Sequence, residues 1–314
     1  MCYLKKIKGI TKGVFYYSGL ANLMFKYRGR RLFVLCYHRV TGPGRKFQYL
    51  GVPRDVFEKQ VLFLKRHFRI IPLKEAAGCL KGKGLDEPML ALTFDDGYRD
   101  NYLHAFPILK RHGVTATFFV PAGYIGTNER FWWDVVADII VNSEVLKTDL
   151  DSRARMIDGV NTLLQLTQPA ERTLEIEKLK IKFGYKETGA AEREIMSREE
   201  IKEISAYGFD FGSHTMTHAN VTLLGEEALK KEILGSKQVL QEILGKEICG
   251  FAYPHGFYNE EAKRAVRECG YSYARTMVSG SNHGDEDVFA LKCLDGGLYN
   301  LKELVVRLSY RGLI

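Results

Sequence analysis

The chain has no run of eighteen consecutive apolar residues, so no segment is long enough to cross a bilayer as a helix. It has six cysteines (Cys2, Cys36, Cys79, Cys249, Cys269 and Cys293) and no CxxC pair among them. That scatter suggests neither a disulfide framework nor a cysteine metal site, and it fits a reducing compartment. Cys36 and Cys249 lie in apolar, strand-like runs, where a thiol behaves as a small hydrophobe. Acidic residues are missing from the front of the chain, the first being Asp55. Residues 1–54 hold 12 Lys and Arg, which leaves 34 basic against 38 acidic residues in the rest. The net charge of +8 therefore sits at the front, on a mildly acidic body. The design of a secretory signal is missing too, because Lys5, Lys6, Lys8 and Lys12 interrupt the stretch that should be apolar. The expectation is a protein of the cytoplasm or the inner face of the membrane. No nucleic-acid motif accompanies the basic excess, so nucleic acid is not an expected partner.

What is present is ordinary for a globular fold: 46% hydrophobic and 27% charged residues, enough in 314 to bury one large core. Residues 1–31 read as a separate basic amphipathic segment, with Leu4, Ile7, Ile10, Val14, Ala21 and Met24 near helical spacing between lysines. Such a segment either lies on an anionic membrane surface or packs on the flank of the domain. Gly9, Gly13 and Gly19 weaken a helix in either case.

From residue 32 to 314 the pattern is that of one domain in which apolar runs alternate with amphipathic stretches. Leu32–Tyr37, Met89–Thr93, Thr115–Val120, Phe209–Gly212, Gly250–Tyr253 and Tyr271–Thr276 read as buried strands. Val56–His67, Tyr102–His112, Ile201–Tyr207, Glu226–Leu244 and Glu260–Cys269 read as helices, several stopped by glycine. Ser197 and Glu200 form a capping box ahead of Ile201. This α/β alternation predicts a mainly parallel sheet or barrel wrapped by helices. From Asp134 to about Ile195 the rhythm breaks into helices alone, including Val135–Asn142 and Ala170–Phe183, which predicts an insertion between two strands. Nothing in that stretch discloses a role.

The chemistry gathers at strand ends. Asp95 and Asp96 follow the run Met89–Leu92 and precede Gly97. Two adjacent carboxylates at the end of a buried strand are costly unless a cation or hydrogen bonds offset them. Alone, such a pair is more often an Asx-turn or a helix cap. A second constellation changes the balance: His214 and His218 follow the run Phe209–Phe211, and a spacing of four brings two imidazoles together. One Asp and two His make the three protein ligands of a catalytic divalent site, leaving a second Asp beside it as a base.

Thr93–Tyr98 and Ser213–His218 resemble the first two motifs of the polysaccharide deacetylases, the NodB-homology group of carbohydrate esterase family 4, and Phe251–Gly256 resembles the third. The resemblance covers roughly residues 32–295. It implies a distorted (β/α) barrel, hydrolysis of an N-acetyl group on a sugar or polysaccharide, and a divalent ion. Zinc is the first choice for that ion, with cobalt, nickel or manganese as alternatives. By position, Asp95 would be the base and Asp96, His214 and His218 the ligands. Two departures matter. Ala252 and His255 stand where many members carry Arg and Tyr around the motif-three proline, and no Leu-x-His segment follows near the C-terminus. The Phe-Ala-Tyr-Pro form is similar to the branch related to poly-N-acetylglucosamine deacetylases, in which an early Tyr-His motif supplies the acid. Tyr37-His38 looks like that motif, which makes His38 the candidate acid.

Pro254, His255 and Trp132 are the candidate substrate contacts. Phe131, Trp132 and Trp133 read either as a stacking platform for a sugar or, as clustered aromatics more often are, as core. Asp100, four residues after Asp96, is placed to orient a neighbour of the site. Two further functions stay open: a deacetylase of a lipid-linked sugar precursor at the membrane, motivated by residues 1–31, and a silent carbohydrate-binding protein on the same fold. Relatives that act outside the cell leave export open as well.

Overall fold

The computed structural model describes residues 30–42, 49–82, 85–186 and 193–310. The basic segment read at residues 1–31 falls, but for its last two residues, outside these.

Seven parallel strands close into a barrel. Their order is β1 (Leu32–Tyr37), β10 (Leu291–Asp295), β9 (Tyr273–Ser279), β8 (Gly250–Ala252), β7 (Asp210–Ser213), β6 (Thr117–Val120) and β5 (Met89–Phe94), with β5 pairing back onto β1. The closing pair runs unbroken from Leu32 opposite Met89 to Tyr37 opposite Phe94. The short β4 (Arg69–Ile70) takes the lower half of β5's other edge, beneath β6. A separate two-stranded ribbon joins β2 (Arg39–Thr41) to β3 (Gly51–Pro53).

Strand alternation sorts the wall into two faces. Leu32, Val34, Cys36, Met89, Ala91, Phe119, Ala252, Tyr273, Leu291 and Cys293 form an inner cluster. Leu73, Ala76, Ala77 and Leu80 of α2 (Leu73–Lys81) join it and close the barrel at the strands' amino ends. The alternate residues, among them Phe33, Leu35, Leu90, Leu92, Phe94 and Phe118, face the surrounding helices. α1 (Arg54–His67) packs on them through Phe57, Val61 and Leu64, and α3 (Phe106–His112) through Ile108 and Leu109. α7 (Arg198–Ala206), α8 (Glu226–Leu244), α9 (Glu260–Glu268) and α10 (Leu301–Tyr310) complete the ring. The capping box at Ser197 and Glu200 starts α7, as its sequence predicts.

Between β6 and β7 the chain leaves the barrel for three helices: α4 (Trp132–Val141), α5 (Leu150–Leu164) and α6 (Pro169–Lys182). They carry a core of their own, built on Val136, Ile139, Ile140, Ile157, Leu164 and Ile176.

Candidate active site

The two carboxylates leave β5 in different directions. Asp95 keeps the alternation of Ala91 and Thr93 and points into the barrel. Asp96 takes φ 69° and Gly97 φ 67°, which turns the chain over the rim. A Cβ on residue 97 would stand 2.6 Å from Cγ1 of Val120, so only glycine fits there. After β7, the segment His214–His218 does not form the helical turn that its spacing suggests. Thr215 (φ 64°) and His218 (φ 56°) fold it into a left-handed loop, and the two rings still meet, 4.7 Å apart and nearly perpendicular. Non-glycine residues held left-handed cost about 1–3 kcal/mol each and persist only where the surroundings dictate them.

Asp96, His214 and His218 converge. Nε2 of His218 lies 3.3 Å and Nε2 of His214 3.7 Å from Oδ1 of Asp96. Ligands about 2.1 Å from a tetrahedral ion sit about 3.4 Å from one another, so these gaps suit a first-row divalent metal. Nδ1 of His214 lies 2.7 Å from the Ala252 carbonyl and donates to it, which leaves Nε2 as the free lone pair. Burial pulls His214 down to about 4 and His218 to about 3, so both are neutral near pH 7 and able to ligate. Oδ1 of Asp96 is buried without a hydrogen-bond partner, and burial raises its pKa more than the nearby His38 and His214 lower it. A buried orphan carboxylate facing two neutral imidazoles is a donor set suited to a divalent cation. A second trio, Cys36, His38 and Asp95, is similarly close. It fits a metal less well, because burial raises the Cys36 thiol and Asp95 is already paired.

That pairing is with Arg275 of β9, fully buried inside the barrel, which donates to both oxygens of Asp95. Burial would raise Asp95, but the guanidinium dominates and holds it well below the usual carboxylate range. The thiol of Cys36 donates to Oδ2 of the same carboxylate at 3.3 Å, so this cysteine is more than a small hydrophobe. Ala252 and Arg275 are register partners on adjacent strands. The arginine absent from motif three is thus supplied directly opposite, one strand away. The sequence reading missed Arg275; its trace was a lone charge in the apolar run Tyr271–Thr276.

His38 follows β1 as Asp95 follows β5, and the register of those strands sets the two residues side by side. Burial lowers the imidazole, but Asp96, Asp95 and Asp295 outweigh it and raise the pKa. The next residue, Arg39, is buried and anchors the segment. Its Nε donates to Asp100 at 2.8 Å, while the Val40 N–H donates to the other Asp100 oxygen at 3.2 Å. Asp100 therefore orients the His38 segment.

The remaining candidates divide. His255 has φ 57° in the turn Pro254–Gly256, and its ring stands 4.7 Å from that of His218, at right angles. Its Nε2 is buried and unpartnered. Pro254 is the buried first residue of that turn and does not line the cavity. Phe131 and Trp133 are core, stacked at 4.4 Å, and Trp133 packs 4.5 Å from His218. Trp133 Nε1 donates to the Tyr98 hydroxyl, which donates to Asp134. Trp132 is half-buried, and both it and Trp133 line the cavity. That cavity is walled by His38, Asp95, Asp96, His214, His218 and His255 on the barrel side. Tyr49, Trp132, Asn161 and Gln165 face them. The helical insertion, whose role its sequence does not disclose, supplies the last three.

A parallel barrel with Asp, His and His at its strand carboxyl ends, beside an arginine-held carboxylate, belongs to the metal-site hydrolase class. Residues 82–274 match the family model for polysaccharide deacetylase, and the chain belongs to that family. It is 24% identical over 263 residues to YxkH of Bacillus subtilis, a protein named for the same family, covering 83% of this chain and 70% of that one. It is 28% identical over 114 residues to the poly-β-1,6-N-acetyl-D-glucosamine N-deacetylase of Staphylococcus aureus. That match covers 32% of this chain and 39% of the staphylococcal protein. Among solved structures, IcaB from Ammonifex degensii superposes with a TM-score of 0.62 at 25% identity, covering 91% of this chain and 98% of that one. The Streptococcus pyogenes deacetylase PplD also gives 0.62, at 18% identity and 88% and 97% coverage, and shares the fold.

Proposed function

We propose that this chain hydrolyses the N-acetyl group of an N-acetylated sugar or glycan, with Asp96, His214 and His218 holding a divalent ion, zinc first. The observation that carries this is the buried, unpartnered Asp96 carboxylate facing two neutral imidazoles, next to a carboxylate that Arg275 keeps ionised.

The ion, when bound, supplies Lewis acidity to the attacking water and to the acetyl carbonyl. Asp95 accepts the proton that water gives up as its oxygen bonds to the acetyl carbon. Arg275 and Cys36 keep that carboxylate aimed and charged. His38, on the neighbouring strand end, delivers a proton to the sugar nitrogen as the C–N bond breaks. Acetate and a free amine leave. His214 keeps Nε2 available through its bond to Ala252. Trp133 walls off one side of His218, and Trp132 and His255 face the substrate.

Glycans like that named for the staphylococcal relative are the substrate class to try first. Among the described residues no helix is long and apolar enough to cross a membrane. A membrane-surface role for residues 1–31, and with it a lipid-linked substrate, is tested by vesicle co-sedimentation with and without that segment. Salt-insensitive, equal partitioning removes it. For the chemistry itself the test is acetate release from N-acetylglucosamine and its oligomers. Release should be abolished by chelation and restored by added zinc; a protein that binds metal and sugar but frees no acetate is a binding protein instead.

A further inference from the structure

The insertion meets the cavity with one polar group that the fold leaves unused. Asn161, on α5, is 6% exposed. Its Nδ2 donates to the Tyr49 hydroxyl at 2.8 Å, and its Oδ1 is buried with no hydrogen-bond partner. Both Asn161 and Tyr49 line the cavity that holds Asp95, Asp96, His214 and His218. A buried carboxamide oxygen without a partner is costly, and a protein carries one only where something else satisfies it. The cavity is the side from which a partner can come.

We infer that Asn161 is a specificity-determining residue that receives a hydroxyl of the sugar carrying the N-acetyl group. A hydroxyl is the matching chemistry because it both donates and accepts. Turning the carboxamide by half a revolution exchanges oxygen for NH₂ toward the cavity, and a hydroxyl bonds either. The Tyr49 hydroxyl holds the other end, so the amide arrives already oriented and loses little freedom on binding. Gln165, one turn along α5 at the helix end, lines the same wall. The insertion thereby acquires a role: the barrel performs the hydrolysis, and α5 reads the ring to which the acetamide is attached. This inference rests on the deacetylase proposal above.

The experiment pairs a protein change with a substrate change. Wild type and Asn161→Leu are assayed for acetate release from N-acetylglucosamine and its 3-, 4- and 6-deoxy derivatives. For wild type, one deoxy sugar is expected to lose about 10- to 100-fold in kcat/KM, mostly in KM. Asn161→Leu should lose a similar factor on the parent sugar and nothing further on that deoxy sugar, the non-additivity that marks a direct contact. Equal, multiplying losses on every sugar, or no loss with any deoxy sugar on wild type, overturn the inference. The wild-type arm needs no variant to fold. Calorimetric titration of the metal-free protein with N-acetylglucosamine separates the two claims. Binding weakened about tenfold by Asn161→Leu upholds the contact even if no acetate is ever released, an outcome that sinks only the hydrolysis. Equal affinities sink the contact alone.

Discussion

The barrel rim and the helical insertion face each other across one cavity, yet they are built on different physical terms. The rim places ionisable groups at the ends of hydrogen-bonded strands. Register fixes His38 beside Asp95 and Ala252 beside Arg275, and short left-handed turns fix Asp96 and His218. The insertion places neutral and aromatic groups on helices that pack on their own small core. It meets the barrel through the chain Trp133, Tyr98, Asp134 and Arg39. The rim can therefore tolerate almost no displacement, whereas the insertion touches it mainly through Trp133 and Asp134. Changes at the rim should act on metal and kcat, and changes in the insertion on KM and stability.

The largest effect belongs to Asp96→Asn, expected to lose bound metal and to lower kcat/KM by about a thousandfold or more, read by metal analysis beside acetate release. Asp95→Asn should lose turnover to a similar degree yet keep its metal; a near-normal kcat would take the base role from Asp95. Arg275 makes the contrast sharper. Arg275→Met leaves a buried carboxylate unpaired and is expected to lower Tm by roughly 5–10 °C along with kcat. Combining it with Asp95→Asn should recover much of the Tm and none of the activity. A double variant as unstable as the single one would deny that the pair is the cause.

His38→Ala is expected to slow the chemical step by about 100-fold with metal content unchanged. An unaltered rate returns the acid role to another group. The smallest effect is in the insertion. Burial outweighs Arg39 and raises Asp134 to about 6. The folded protein therefore holds a proton there that the unfolded chain has already released above about pH 4. The stability linked to this group is present below that range and is lost as pH rises through 6. The Tm difference between wild type and Asp134→Asn should fall across pH 4 to 6, by a few degrees, and stay flat above. A difference that stays flat across pH 4 to 6 would mean that Asp134 is charged throughout that range.

Much of the rim was legible because its signals are local. Asp95 and Asp96 are adjacent, His214 and His218 are four apart, and each pair ends an apolar run that could only be a strand. Arg275 was not legible, because the partner that explains it lies 180 residues away and nothing near it in sequence suggests a carboxylate. The same limit hid Asn161. It sits in a helix whose interior Gly159 and sparse apolar residues weaken the helical pattern, and its meaning depends on Tyr49, which lies 112 residues earlier. β10, which completes the barrel between β9 and β1, was missed because it is short and interrupted by Lys292. The loop at His214–His218 shows a third kind of gap: spacing predicted that the imidazoles meet, but not that a left-handed backbone brings them there.

The β1–β5 seam carries one more implication. It is the lock that shuts the cylinder, and it is also the ruler that spaces His38 from Asp95, the proposed proton donor and acceptor. A slip of one residue along it would put His38 and Asp95 on opposite faces although the chain still carries both. Damage at this seam should therefore look, in an assay, like the loss of two residues that are both still there.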